Sequence, residues 1–154
     1  MLHIHIILMD KKILKYILKN LPYKKPFLFV DEITEVSENQ IIGNYTFKEN
    51  ESFYKGHFVN NPITPGVIII ETMGQIGLVC FALYMSYPHP IVYKPILSVV
   101  EAEFYNPVYP KDKVIVVSKK IYFRNDTLKC KIEMFDVNNK ELAKATEILK
   151  LVKK

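Results

Sequence analysis

Residues 64–84 read TPGVIIIETMGQIGLVCFALY, and the way this stretch folds decides how the rest of the chain must be arranged. Local signals conflict within it. By propensity Val67-Ile68-Ile69-Ile70 reads as a strand. Against that, Thr64 can N-cap a helix, and Pro65 can take its first position, where a missing N–H costs nothing. The apolar run then continues to about Tyr84, longer than a strand needs. A long, nearly all-apolar helix is therefore predicted, closed by Tyr87-Pro88-His89-Pro90.

Upstream, Asn60, Asn61 and Pro62 break regular structure. Gln40 to Phe47 alternates, with Ile41, Tyr45 and Phe47 on one face and Gln40, Asn44 and Thr46 on the other, which predicts a strand. Ser37-Glu38-Asn39 has turn chemistry and joins it to a strand over Phe27 to Val36, as a hairpin. Asp10 can N-cap a short helix carrying Ile13, Leu14, Ile17 and Leu18 on one face, ended by Leu21-Pro22. Downstream, Ile96 to Phe104, Val114 to Phe123, Leu128 to Val137 and Leu142 to Val152 read as strands, the last after the turn-like Asn138-Asn139. One long apolar helix among some six strands implies an α+β fold, an antiparallel sheet wrapped around a central helix. The 154 residues suffice for one domain with a continuous core, residues 1–20 forming an N-terminal extension with the short helix.

Hydrophobic residues make up 49% and charged residues 24%, which excludes a disordered chain. The net charge of +5 comes from dispersed lysines with no nucleic-acid motif, so it points to an acidic partner rather than to DNA. Lys24-Lys25, Lys119-Lys120 and Arg124 read as solvated faces. Cys80 and Cys130 have neither metal-ligand nor redox spacing; Cys80 reads as a buried free thiol, which suits a reducing cytoplasm. Met1 to Met9 is apolar but short, without the basic leader or small-residue cleavage site of a signal peptide. Only residues 66–87 approach a membrane span, and they carry Glu71 and Gln75, so a core helix is expected. His3-Ile4-His5 has no paired ligands further on, so no metal is expected, and His89 reads as a loop residue.

Two residues stand out chemically. Glu71 lies inside the apolar run, where a carboxylate must find a partner or take up a proton. Gln75, one turn later on the same face, can hold it by a hydrogen bond. A structural carboxylate or a subunit seam is the bland alternative. His57, beside Phe58, argues for little alone; its place before the loop, the helix start and Glu71 makes it a candidate base near neutral pH. Gly66 sits where helix N–H groups lack intrahelical partners and can meet a developing oxyanion, or else simply makes a tight turn with Pro65.

Leu21-Pro-Tyr-Lys-Lys-Pro-Phe-Leu-Phe-Val-Asp31, then Gly56-His57-Phe58, Pro62, Pro65-Gly66-Val67, Glu71 and Gln75, and finally Phe104-Tyr-Asn-Pro-Val-Tyr-Pro-Lys-Asp112 carry a family resemblance. The chain resembles 3-hydroxyacyl-[acyl-carrier-protein] dehydratases of the FabZ type, a hotdog-fold family with "LPHRYPFLLVD" and "FRRPVVPGD" at the first and last of these segments. The resemblance spans roughly residues 20–150. It implies a catalytic pair of His57 and Glu71 meeting across a dimer interface, with Phe58, Gly66, Val67 and Gln75 at the substrate. Glu71 lies about 9 Å along the helix from its start, which makes a meeting within one chain strained. Glutamate at 71 resembles the FabZ branch; the dehydratase–isomerase branch has aspartate. Departures are Val59-Asn60 for Pro-Gly, Thr64 for methionine, and Lys111 for the glycine of "PGD".

What this implies is dehydration of a 3-hydroxyacyl thioester to the trans-2-enoyl product, with no cofactor beyond the phosphopantetheine arm of acyl carrier protein. His57 would take the proton next to the thioester carbonyl, Gly66 N–H would meet the developing charge, and Glu71 would protonate the departing hydroxyl. An alternative gives both proton transfers to His57. Homodimers, standing alone or assembled as a trimer of dimers, are implied. Competing readings are a hotdog thioesterase, a hydratase of coenzyme A esters, or a non-catalytic acyl-thioester binder.

Overall fold

The computed structural model describes residues 2–89 and 93–153, with side chains from residue 11 onward. Helix α1 spans Leu2–Lys19. Strands β1 (Glu32–Val36), β2 (Gln40–Thr46), β3 (Tyr93–Phe104), β4 (Lys113–Arg124), β5 (Thr127–Phe135) and β6 (Glu141–Lys153) form one antiparallel sheet in the order β1-β2-β4-β5-β6-β3. Helix α2, Gly66–Ser86, lies inside its curve. Bulges in four of the five ladders bend the strands around it. This is the hotdog arrangement expected.

Ile41 and Tyr45 of β2, and Phe47 just past its end, are buried on the predicted apolar face, but Asn44 on the opposite face is buried too; Phe29 and Phe53 join Tyr45 and Phe47 in an aromatic cluster. In β6 the inward positions are Ala143, Ala145, Glu147 and Leu149, all buried. Helix α2 is apolar and long enough to cross a membrane, but it is largely buried within the fold, as a core helix. It touches the sheet directly: a Cβ on Gly77 would stand 2.8 Å from Ile132 Cδ1 and 3.0 Å from Ser118 Cβ. The hairpin turn is closed by Ser37, whose N–H donates to Gln40 O and whose hydroxyl accepts the Asn39 and Gln40 N–H groups. Asn139, at φ 65°, makes the β5–β6 turn that Asn138-Asn139 predicts. Both cysteines are buried and free, and burial pushes both thiols up, Cys130 to about 11.

Four expectations need correction. Helix α1 begins at Leu2 and runs through Asp10, so Asp10 is no N-cap; the apolar start continues the helical pattern. The first strand begins at Glu32 rather than Phe27, because the Phe27 and Phe29 backbone bonds to Gln75 on α2 instead of to a neighbouring strand. Thr64 does not cap α2. Pro65 holds the cap position, its carbonyl accepting the Ile68 and Ile69 N–H groups, while the Thr64 hydroxyl bonds Tyr54 Oη at 2.6 Å. Finally, α2 is not uniformly α-helical. Gln75–Val79 form a π-helical turn, the Cys80 N–H reaching back to Gln75 O. Pro90, His3 and His5 lie outside the described side chains.

Lys111, which stands where the resembling family has glycine, adopts φ 73°. A side chain in that left-handed region is strained. Lys111→Gly is therefore expected to raise stability by up to about 1 kcal/mol in urea denaturation, the strain relief outweighing glycine's extra unfolded-state freedom.

Candidate active site

A single 3₁₀ turn, Ser52–Lys55, leads through Gly56 to His57. The His57 N–H donates to Phe53 O, and the Ile63 N–H donates to His57 O. Between them Phe58 and Asn61 exchange backbone hydrogen bonds around Asn60, whose φ of 57° asparagine tolerates well. The loop is pinned further by the Thr64 N–H, which donates to Val108 O at 2.8 Å. His57 is thus held at both ends. Its Nδ1 lies 2.9 Å from Ile63 O, and its ring stacks on Phe58 at 4.0 Å. A proton on Nδ1 satisfies that carbonyl and leaves the Nε2 lone pair free to act as a base.

Glu71 stands on the second turn of α2. Its Oε1 accepts from Gln75 Nε2 at 2.9 Å. Gln75 is 1% exposed and fully engaged: Nε2 also donates to Phe27 O at 3.0 Å, and Oε1 accepts the Phe29 N–H at 2.8 Å. The amide therefore locks the Phe27–Phe29 segment, the helix and Glu71 to one another. Gln75→Leu strands a buried N–H and a carbonyl, and is expected to destabilise the fold by about 3 kcal/mol in urea denaturation. Equal stability would show that those groups find other partners.

Glu71 itself is only half-buried in the single chain, against the expectation of a sequestered carboxylate. The N-terminal part of α2 rises out of the sheet, leaving Val67 71% exposed. Phe58 is also exposed. Gly66 and Val67 precede the first intrahelical hydrogen bond, made by the Ile68 N–H, so their N–H groups point past the helix end as potential oxyanion donors. The Gly66 position faces the Phe104 ring, 3.3 Å from where its Cβ would be. Among the described residues no hydrogen bond or ion pair joins His57 to Glu71 within the chain.

Glu71 opens into a cavity of about 190 Å³ beside α2, lined also by Tyr23, Gly74, Leu78, Pro95, Leu97 and Leu149. A second cavity, lined by Leu83, Tyr93 and Lys94 among others, has Val79 and Pro95 in common with it. Two polar groups here escaped the sequence reading. Burial, with Glu71 nearby, pushes the Tyr23 hydroxyl well above its usual range. Glu147, on β6, is 0% exposed, and burial, then Glu71, raises its carboxyl to about 8. Among the described residues the fully buried carboxylate is thus Glu147, not Glu71. Its signal was weak: an acidic residue at an inward position of an alternating strand. Among the described residues no group of three or more His, Cys, Asp or Glu is placed to hold a metal ion.

Residues 21–144, the segment that contains His57, Glu71 and Gln75, match the FabA-like domain. The chain belongs to the FabA-like family. Its relatives include the 3-hydroxyacyl-[acyl-carrier-protein] dehydratase FabZ of Ehrlichia ruminantium (strain Gardel), 37% identical over 141 residues, covering 90% of this chain and 94% of the relative. The FabZ of Thermus thermophilus is 35% identical over 136 residues, covering 86% and 92%. Among solved structures, the dehydratase heterocomplex ApeI:P from Xenorhabdus doucetiae superposes with a TM-score of 0.77 at 12% identity, covering 90% of this chain and 91% of that one. A hypothetical thioesterase from Streptococcus pneumoniae reaches 0.59 at 10% identity, over 80% and 86%. At such identities these structures establish the hotdog fold of this FabA-like chain.

Proposed function

We propose that the protein dehydrates 3-hydroxyacyl thioesters, carried on acyl carrier protein, to trans-2-enoyl thioesters in fatty-acid or related acyl-chain biosynthesis. The observation that carries this is a His57 whose Nδ1 is held by Ile63 O, in a chain whose Glu71 is held by Gln75 beside a cavity along α2. FabZ dehydratases align along nearly the whole chain.

His57 Nε2 removes the proton from C2. The electron pair forms the C2–C3 double bond, and the C3 hydroxyl leaves as water with the proton of Glu71. Charge growing on the thioester oxygen is met by the Gly66 N–H at the positive end of α2. Phe58 and Val67 flank the thioester, and Gln75 fixes the rotamer of Glu71. Because elimination is reversible, the same groups would hydrate an enoyl thioester. These proton transfers call for no metal or organic cofactor; the phosphopantetheine arm belongs to the substrate.

A second copy of the chain supplies the other half of each site in this proposal, within a dimer that can stand alone or in a trimer of dimers. Support comes from β3, a sheet-edge strand twelve residues long on which Ile96, Leu97, Val99 and Phe104 are exposed. The charge of +5 suits an acidic carrier protein, and two free buried thiols suit the cytoplasm. The test is incubation with 3-hydroxyoctanoyl-acyl carrier protein. Enoyl thioester is expected to accumulate without free thiol. Release of free thiol would make the protein a thioesterase, and binding without turnover would make it a non-catalytic acyl-thioester binder; either contradicts the proposal.

A further inference from the structure

Tyr23 lines the cavity beside Glu71 and takes no part in the proton transfers above. It follows Leu21-Pro22 in the loop between α1 and β1, its ring packed against the core. Two hydrogen bonds fix the path of that loop. The Phe27 N–H donates to Lys24 O at 2.9 Å, closing a turn directly after Tyr23. Phe27 O then accepts from Gln75 Nε2, the same nitrogen that donates to Glu71 Oε1. One buried amide thus anchors both the segment that carries Tyr23 and the Glu71 carboxyl.

The hydroxyls of Tyr16, Tyr45, Tyr54 and Tyr105 each bond to another group of the chain. Among the described residues that of Tyr23 bonds to none, yet it is not sealed in. The buried side-chain polar atoms without a partner, among those residues, are the two oxygens of Glu147. Tyr23 Oη therefore keeps accessible surface, as does Glu71 Oε2, the carboxyl oxygen that Gln75 leaves free. The remaining walls of the cavity are glycine, proline and aliphatic side chains. Tyr23 and Glu71 are its hydrogen-bonding side chains.

We infer that Tyr23 is a further catalytic residue, donating a hydrogen bond to the C3 oxygen as it departs. The inference rests on the dehydratase reading, which puts that oxygen at Glu71. The C3–O bond breaks with its electron pair moving to oxygen. Glu71 gives up its proton to complete a water molecule, and Tyr23 keeps its own. A phenol O–H suits that growing negative charge, and in an apolar surrounding the bond gains strength. Burial, then Glu71, holds the Tyr23 hydroxyl above its usual range, so it stays a donor at and well above neutral pH.

Binding is measured by calorimetry on the full-length protein in a His57→Ala background, where 3-hydroxyoctanoyl-pantetheine is not consumed. Adding Tyr23→Phe deletes one oxygen. It is expected to weaken this ligand about five-fold and to leave octanoyl-pantetheine unchanged. On its own, Tyr23→Phe is expected to lower kcat for 3-hydroxyoctanoyl-acyl carrier protein by about 10- to 100-fold, because the bond strengthens as charge develops. A tyrosine that only fills the wall would shift both ligands alike, or neither, and either result overturns the inference. Equal affinity for the two ligands in the His57→Ala protein overturns it too, whether or not the double variant folds. Wild-type turnover is read separately. A hydroxyl-selective loss without turnover supports Tyr23 as the contact while counting against the dehydratase reading.

Discussion

Replacing His57 by alanine is expected to lower enoyl formation from 3-hydroxyoctanoyl-acyl carrier protein by about 100- to 10,000-fold, without changing the stability of the fold by more than about 1 kcal/mol. The two halves of that expectation come from different features. His57 touches solvent and lies in a loop whose shape is set by backbone bonds, those of Phe53, Phe58, Asn61 and Ile63. Loss of the ring removes one contact to Ile63 O and the stack on Phe58, while the path of the chain remains. Loss of Nε2 removes the base. Glu71→Ala is expected to show a fall of the same order, with the Gln75 amide keeping its bonds to Phe27 and Phe29. A His57→Ala protein that retains a tenth or more of wild-type turnover would mean that another group takes the C2 proton.

The second large effect concerns stability against pH. Burial and the neighbouring Glu71 hold the Glu147 carboxyl at about 8, against an ordinary 4.5. Between those values the folded chain keeps a proton that the unfolded chain releases. Stability therefore falls as pH rises through this window, by up to about 1.4 kcal/mol per unit, and the loss is complete above about 8. Glu147→Gln has nothing to titrate. Its stability relative to wild type is expected to climb by several kcal/mol, about 4, between pH 4.5 and pH 8 in urea denaturation. Parallel stability curves for the two proteins would show that Glu147 is ionised and paired in the folded state.

Much of the fold could be read from residues. The β2 alternation, the turn chemistry of Ser37 to Asn39, and an apolar run too long for a strand together imply a sheet around a helix. What could not be read depends on partners distant in sequence. Phe27 to Val30 has the composition of a strand, yet its backbone is claimed by Gln75, more than forty residues away. Thr64 has the chemistry of a cap, but Tyr54 takes its hydroxyl first. The π-helical turn leaves no mark on hydrophobic periodicity, since every residue from Gln75 to Val79 is buried. At the site, the Glu71–Gln75 bond follows from helical spacing alone. The carboxyl of Glu147 does not, because its proximity to Gly74 depends on how β6 lies against α2.

In the proposed mechanism His57 and Glu71 act as one pair, each site drawing one member from each of two chains. Mixing His57→Ala and Glu71→Ala chains under conditions that allow exchange tests this directly. A hybrid dimer then contains one site with both residues intact and one with neither. With random pairing, enoyl formation is expected to recover to about a quarter of the wild-type rate, although each variant alone is inactive. A mixture that stays as inactive as its components, with exchange of chains demonstrated, would contradict the claim and place both residues of each working site within a single chain.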